Sequence, residues 1–301
     1  MKTIINQSIL AAAAMLIIFA GCNTVNPVQE ELTEEEIELT GEIVAESLSG
    51  QRGGLVATMY DAFSNVSQDG ISYTGSVQAE GAPVAENDIK RSGESNWSVE
   101  YDPETGEHAI TFNRYYEGPF VTKSLSVQNK YIFTNPDGEF LEFPRRDQNE
   151  IETIDFKGMK SGSVESERKS SSFTRVDTLF TSGLYSESPI LTMEGSHDGE
   201  GDMTVQLRRA DGVAERSYQV RLNLIDVQID KAVVQANGNL EEGVTGLITY
   251  EIQLQQSMSG ENREKTITGT IEMTGDGTAL LRFDRITKVL RLGLSDGEVT
   301  D

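Results

Sequence analysis

Apolar positions along the chain follow two rhythms, and the change between them divides the sequence. From Thr33 to Val66 the spacing is helical. Thr33 followed by Glu36 has the form of a capping box, and Glu34-Glu35-Glu36 suits the positive end of a helix. Ile37, Ile43, Val44 and Leu48 then make one apolar stripe ending at Gly50, and Leu55, Met59, Ala62, Phe63 and Val66 make a second. Gly53-Gly54 separates them. The pattern predicts two short helices in a helical segment over residues 34–66.

From about Gly70 the period is two, so residues 67–301 read as an antiparallel β domain. Trp97-x-Val99-x-Tyr101, Ile110-x-Phe112, Met203-x-Val205-x-Leu207, Ile248-x-Tyr250-x-Ile252-x-Leu254 and Ile267-x-Gly269-x-Ile271-x-Met273 all alternate. Turn-forming residues lie between these runs: Pro103-Glu104-Thr105-Gly106, Pro136-Asp137-Gly138, Asp211-Gly212, Asn237-Gly238, Ser259-Gly260 and Asp276-Gly277. Such residues pre-set a turn or permit positive φ, so neighbouring strands are expected to be hairpin-linked. No helical segment of useful length separates the strands, which excludes a βαβ arrangement.

Two long runs change parity. Val220, Leu222 and Leu224 fall on even positions, but Ile225, Val227 and Ile229 on odd ones; Leu281 and Phe283 give way to Ile286, Leu290, Leu292 and Leu294. A strand changes its buried face only through a bulge, a bend or passage into a region buried on both sides. The expected fold is therefore mainly β: a curved antiparallel sheet, an open barrel-like meander with two short N-terminal helices packed on or near it. A sandwich whose strands cross between sheets fits the same switches. Thr74-Gly75-Ser76-Val77, Ser161-Gly162-Ser163-Val164 and Thr268-Gly269-Thr270-Ile271 recur without a fixed period, so they mark strand chemistry rather than a solenoid.

The N-terminus adds a location. Lys2 precedes the apolar run Ser8–Ala20, which is too short for the ~20 residues of a spanning helix and has the form of a secretory signal. Leu16-Ile17-Ile18-Phe19-Ala20-Gly21-Cys22 ends in small residues directly before the chain's single cysteine. This resembles the lipobox of bacterial lipoproteins, with Phe19 where that family usually has Leu. The resemblance, confined to residues 1–22, implies a signal peptide over 1–21, cleavage between Gly21 and Cys22, diacylglycerol on the Cys22 sulfur and an acylated new amino terminus. Residues 22–33 are then a tether, and the lipid chains hold the protein in a membrane. Asn23, in place of the Asp that favours inner-membrane retention, implies the outer membrane. Gln29-Glu30-Glu31 and Glu34-Glu35-Glu36 resemble the surface-export signals of some Bacteroidota lipoproteins, so the domain faces the periplasm or the cell surface.

Composition narrows the partners. With 49 acidic residues against 25 basic ones, the formal charge is −24. Nucleic acid is excluded as a partner, because its recognition begins with neutralising phosphates. Peripheral adhesion to anionic headgroups is disfavoured for the same reason.

Candidate chemistry is sparse. The two histidines, His108 and His197, are far apart in sequence, and His108 alternates in phase with Ile110 and Phe112 as a structural residue would. No cysteine pair or histidine cluster offers zinc a site. His197-Asp198-Gly199-Glu200-Gly201-Asp202 reads as a loop whose carboxylates Asp198, Glu200 and Asp202 could surround Ca²⁺, although their order matches no EF-hand. Tyr115-Tyr116-Glu117-Gly118-Pro119-Phe120 reads as a loop that could present Tyr115, Tyr116 and Phe120 to a ligand. No catalytic constellation emerges. The reading is a non-enzymatic envelope lipoprotein acting as a binding or accessory module for an envelope protein, glycan or apolar ligand. The alternative is a half-barrel carrier of lipid, and an acidic-residue hydrolase comes last.

Overall fold

Antiparallel hairpins, one after another, make up most of the described chain. The computed structural model describes residues 32–51, 54–64, 66–67, 70–71, 93–144, 147–167, 169–185, 188–206, 213–237, 239–258 and 261–300. The signal region, Cys22, the tether up to residue 31, residues 74–77 and the turns at 211–212 and 259–260 lie outside this set. Helices α1 (Glu34–Leu48) and α2 (Leu55–Ser64) come first, followed by a small hairpin of β1 (Val66–Ser67) and β2 (Gly70–Ile71). Twelve strands then pair strictly in chain order: β3 (Gly93–Asp102), β4 (Glu107–Glu117), β5 (Val121–Thr134), β6 (Thr153–Ser166), β7 (Lys169–Ser182), β8 (Ile190–Gln206), β9 (Val213–Asp230), β10 (Val244–Met258), β11 (Glu261–Thr274), β12 (Thr278–Phe283), β13 (Val289–Gly293) and β14 (Val299–Thr300). The edges β3 and β14 do not pair with each other, so the sheet is an open meander.

Burial shows that the sheet is curved. Laid flat, twelve strands would be roughly 55 Å wide. Two helices, each about 10 Å across, cannot cover that width. Yet one face is buried from Ile110 on β4 through Leu222, Ile252 and Ile271 to Leu292 on β13, each at most 1% exposed. The sheet therefore wraps around the helices. Helix α1 records the same geometry: Ile37, Leu39, Thr40, Gly41, Ile43, Val44, Ala45, Ser47 and Leu48 are all buried, about two thirds of its circumference. Its exposed stripe is Glu35, Glu38 and Glu42. At Gly41 the helix meets β13 and β14 so closely that an added Cβ would lie 2.8 Å from Leu290 Cδ1.

The end of the sheet carrying the β5–β6 and β9–β10 connections is termed upper, and the end carrying the β4–β5 and β6–β7 turns lower. Glu36 near the start of α1 accepts from Lys265 Nζ on β11 at 2.8 Å, and the backbone after α1 pairs at the other end, Gly50 N–H donating to Leu294 O at 2.8 Å. Helix α2 packs over β6 and β7. A third helix, α3 (Lys231–Asn237), joins β9 to β10 and was not evident in the sequence; Asp230 caps it, its Oδ1 accepting from the N–H groups of Ala232 and Val233.

The parity switch in β9 is a bulge. Thr245 and Leu247 on β10 face Gln228 and Ile225, and Met193 and Gly195 on β8 face Val227 and Leu224, so β9 holds one extra residue against both neighbours. Asp226 takes it up with φ of 55°. Ile225, expected inward with Val227 and Ile229, precedes the bulge and faces outward, 47% exposed. The neighbouring strands accommodate the kink with Gly195 (φ 143°) and Gly246 (φ 134°), whose missing Cβ atoms would collide with Thr178 O and Asp226 O. The second switch has another cause: β12 ends at Phe283, and the chain reverses before β13 begins at Val289.

The glycines of two of the recurring elements lie beneath rings. Phe173 on β7 covers Gly162, and Tyr250 on β10 covers Gly269, each with a ring carbon 2.7 Å from where a Cβ would sit. Replacing Gly195 by alanine should lower unfolding free energy by about 3 kcal/mol or more, through positive φ and the clash with Thr178 O. Urea denaturation checks this; an unchanged midpoint would mean that β8 can bend without the glycine.

Candidate functional site

Register places a polar row across the middle of the buried face. Asn129, Gly158, Asp177, His197, Leu222, Tyr250 and Gly269 are successive cross-strand partners from β5 to β11. All point inward, because they alternate in phase with buried neighbours such as Tyr131, Phe156, Leu179 and Ile248. His197 is fully buried and Asp177 is 4% exposed; His197 Nδ1 lies 2.7 Å from Asp177 Oδ1. A carboxylate only accepts, so Nδ1 carries the proton. Thr58 of α2 completes the group, its hydroxyl 3.3 Å from Asp177 Oδ2. The pair thus fastens α2 to the sheet. Among the described residues Nε2 of His197 is buried without a hydrogen-bond partner, and it lies on the side of Gly199, one row lower. The Tyr250 hydroxyl is likewise without a partner, and burial, with a smaller contribution from the charge of Asp284, holds its phenol well above the ordinary value.

His108 lies elsewhere on the inward face, its Nε2–H donating to Leu141 O at 3.0 Å and its ring 4.5 Å from that of Tyr101. Burial pushes its pKa below the ordinary value. It is a packed structural group.

The segment 197–202 is not a loop. It lies within β8, with His197, Gly199 and Gly201 inward and Asp198, Glu200 and Asp202 outward. Same-face residues on a strand are spaced by about 7 Å, so these three carboxylates cannot close on one ion whose oxygens must come within 2.3–2.6 Å. Among the described residues no group of three or more His, Cys, Asp or Glu could hold a metal. Asp198 instead accepts from Arg221 Nε at 2.7 Å. With Glu200 and Glu251 these residues line an outward trough of about 340 Å³. Exposed pairs of this kind behave as solvated surface charge.

Tyr115 and Tyr116 are also strand residues, near the end of β4, so they point to opposite faces. Tyr115 is 47% exposed on the outside, with its hydroxyl 3.3 Å from Glu117 Oε2. Tyr116 faces inward, over Gly118, and Phe120 stands 85% exposed in the turn. The three do not form one platform.

Below the polar row the two faces of the sheet separate by charge. Inward positions of the described side chains carry Arg114, Lys123, Lys160, Arg175, Arg216 and Lys265, and no carboxylate. Outward positions of the same half carry Glu165, Asp198, Glu200, Asp202, Glu251 and Glu264, with Arg221 as a lone base among them. The inward bases are interleaved with Phe112, Leu125, Val164, Phe173 and Tyr218, most of them half-buried. Among the described residues Arg114, Lys123 and Arg216 form no ion pair, although the chain has 49 acidic residues. Burial pushes the Arg114 guanidinium below its ordinary value. Alternation alone made this legible in principle; knowing which parity faces inward required the register.

No protein-family model matches the chain, and comparisons with curated proteins and with solved structures return no match. Among the described residues no helix is long and apolar enough to cross a membrane.

Removing one partner of the buried pair leaves the other without its acceptor. Asp177→Ala should cost about 3 kcal/mol of stability, whereas Asp177→Asn, which keeps an acceptor for Nδ1–H, should cost about 1 kcal/mol. Equal urea midpoints for Asp177→Ala and the parent protein would show that the pair does not fasten α2 to the sheet.

Proposed function

We propose that the protein is a lipid-anchored envelope lipoprotein whose curved sheet serves as a non-catalytic binding module, with its ligand seated on the inward face below the polar row. The observation that carries this reading is the half-buried stretch from β4 to β9. There, the inward apolar and basic side chains Phe112, Arg114, Lys123, Phe173 and Arg216 keep partial exposure to solvent. Of the readings open from the sequence, carriage of a lipid or other apolar ligand gains most from it. Binding of a glycan or envelope protein through exposed aromatics gains less, because Tyr115 and Tyr116 face opposite ways. A hydrolase would need a desolvated carboxylate to act as acid, and the outward trough offers a carboxylate paired with an exposed arginine.

The anchor half of the proposal rests on Ala20-Gly21-Cys22. It places the mature start at Cys22 and the domain at the outer membrane, reached through a short acidic tether. Cells fed an alkyne-tagged palmitate should label the parent protein and leave Cys22→Ala unlabelled. Native mass spectrometry of the membrane-extracted protein should then show a chain beginning at Cys22, carrying diacylglycerol and a further acyl group, together with a bound small molecule. A free thiol on a chain starting elsewhere would overturn the anchor, and a protein always recovered empty would overturn the binding module.

A further inference from the structure

Helix α1 begins toward the lower end of the sheet. Glu36, in its first turn, is held by Lys265 of β11. Along β11 the lower end at Glu261 is about 13 Å from Lys265, and the upper end at Thr274 about 30 Å. Residues 22–33 can span at most about 40 Å. A lipidated Cys22 therefore brings the lower end to a bilayer with slack remaining. The upper end reaches it only with those residues drawn nearly straight, which costs conformational entropy.

The β4–β5 turn at the lower end has the side chains that suit such a position. Phe120 is 85% exposed, more than any other large apolar residue among those described. The turn is closed by the Gly118 N–H, which donates to Val121 O at 2.9 Å, so the ring is held out from the rim beside an exposed Pro119. Tyr116 and Lys123 are cross-strand partners next to it on the inward side, and Lys169 at the start of β7 is exposed on that same side. Apolar rings flanked by lysines match the boundary between acyl chains and headgroup phosphates. Glu117 and Glu165 point outward at this level, so the basic side of the rim is the inward one.

We infer that the lower rim docks on the bilayer that holds the anchor, with Phe120 inserted among the upper acyl carbons and Lys123 and Lys169 against headgroup phosphates. The inference rests on the lipid anchor at Cys22 and adds the orientation of the domain and the residues that set it. A chain of formal charge −24 is repelled by an anionic surface at long range. The anchor removes the need for long-range attraction, because a short tether keeps the rim at high effective concentration beside the lipid. Zwitterionic headgroups then offer their phosphates to the lysines at contact. The exposed rings of Phe140, Phe143 and Tyr185 lie in the upper connections, where only a nearly straight tether would bring them to the bilayer.

Fluorescence quenching tests this on the lipidated protein in phosphatidylcholine vesicles whose acyl chains carry bromine near the headgroup. Trp97 is the chain's single tryptophan, so Trp97→Phe gives a background in which one indole reports one position. In that background Phe120→Trp should be quenched at least about threefold more than Tyr185→Trp at the upper end. Adding Lys123→Gln with Lys169→Gln should weaken the quenching of Phe120→Trp about twofold, and the outward Arg221→Gln should leave it unchanged. The parent protein gives a reading without substitution: phosphatidylcholine bearing a diazirine should label the peptide that contains Phe120 and spare the one that contains Tyr185. If the protein floats with the vesicles but the two positions are quenched and labelled alike, the docking is overturned and the anchor stands. Stronger quenching and labelling at Tyr185 would also overturn the docking, since the upper end would then face the bilayer. A protein that begins elsewhere than Cys22 and does not float with the vesicles would overturn the anchor and this inference together.

Discussion

The structure depends on how α1 is buried. A helix lying on a flat sheet hides one stripe, but α1 hides about two thirds of its surface, including Thr40, Gly41 and Ser47 as well as its aliphatic residues. Burial of that kind requires protein on several sides. The strand order offers only one way to supply it, which is for the meander to bend around the helix until β11–β14 lie against it. The bulge at Asp226 and the glycines beside it on β8 and β10 provide the bend where the long strands would otherwise stay straight. Removing water from the apolar face of this many strands is worth far more than any polar contact in the molecule. The carboxylates exposed on α1 keep its remaining stripe in solvent.

Curvature gives the two faces of the sheet different roles. Helix α1 runs along both halves of the concave side, and above the polar row the large side chains Tyr131, Phe133 and Phe156 help to close that side as a core. Below that row Val127, Val220, Ile252, Leu254 and Ile267 stay buried, while toward the lower ends of β4–β9 Phe112, Arg114, Lys123, Phe173 and Arg216 are half-buried, and there the bases gather. The Thr58–Asp177–His197 group lies at the border, fastening α2 to the sheet. In the lower half acidic residues are sent to the convex side, which accounts for how a chain with twice as many acids as bases keeps bases on its inward face.

Much of this was legible in the sequence, for physical reasons that also mark where legibility stopped. The shift from a period near 3.6 to a period of two located α1, α2 and the meander, and the even-to-odd switch at Leu224–Ile225 identified a real bulge. That rule works because a strand has only two faces. It misplaced Ile225 by one residue, since parity shows that an extra residue exists and not which residue absorbs it. Residues 197–202 were misread because Gly and Asp are the residues of turns, and here pairing with β7 and β9 overrides that local preference. Helix α3 escaped notice because none of its residues is buried and it has no apolar stripe. The Asp177–His197 pair was invisible for a different reason: only the hairpin register brings the two residues opposite each other.

Hydrogen exchange at the amides of Ile43–Leu48 tests the central claim most directly. If the sheet is held in its curve by wrapping α1, these amides open only when the whole molecule unfolds, with the same free energy of opening as the centres of β10 and β11. Exchange of α1 through a local opening that leaves β10 and β11 protected would contradict the account, because the sheet would then hold its shape without the helix.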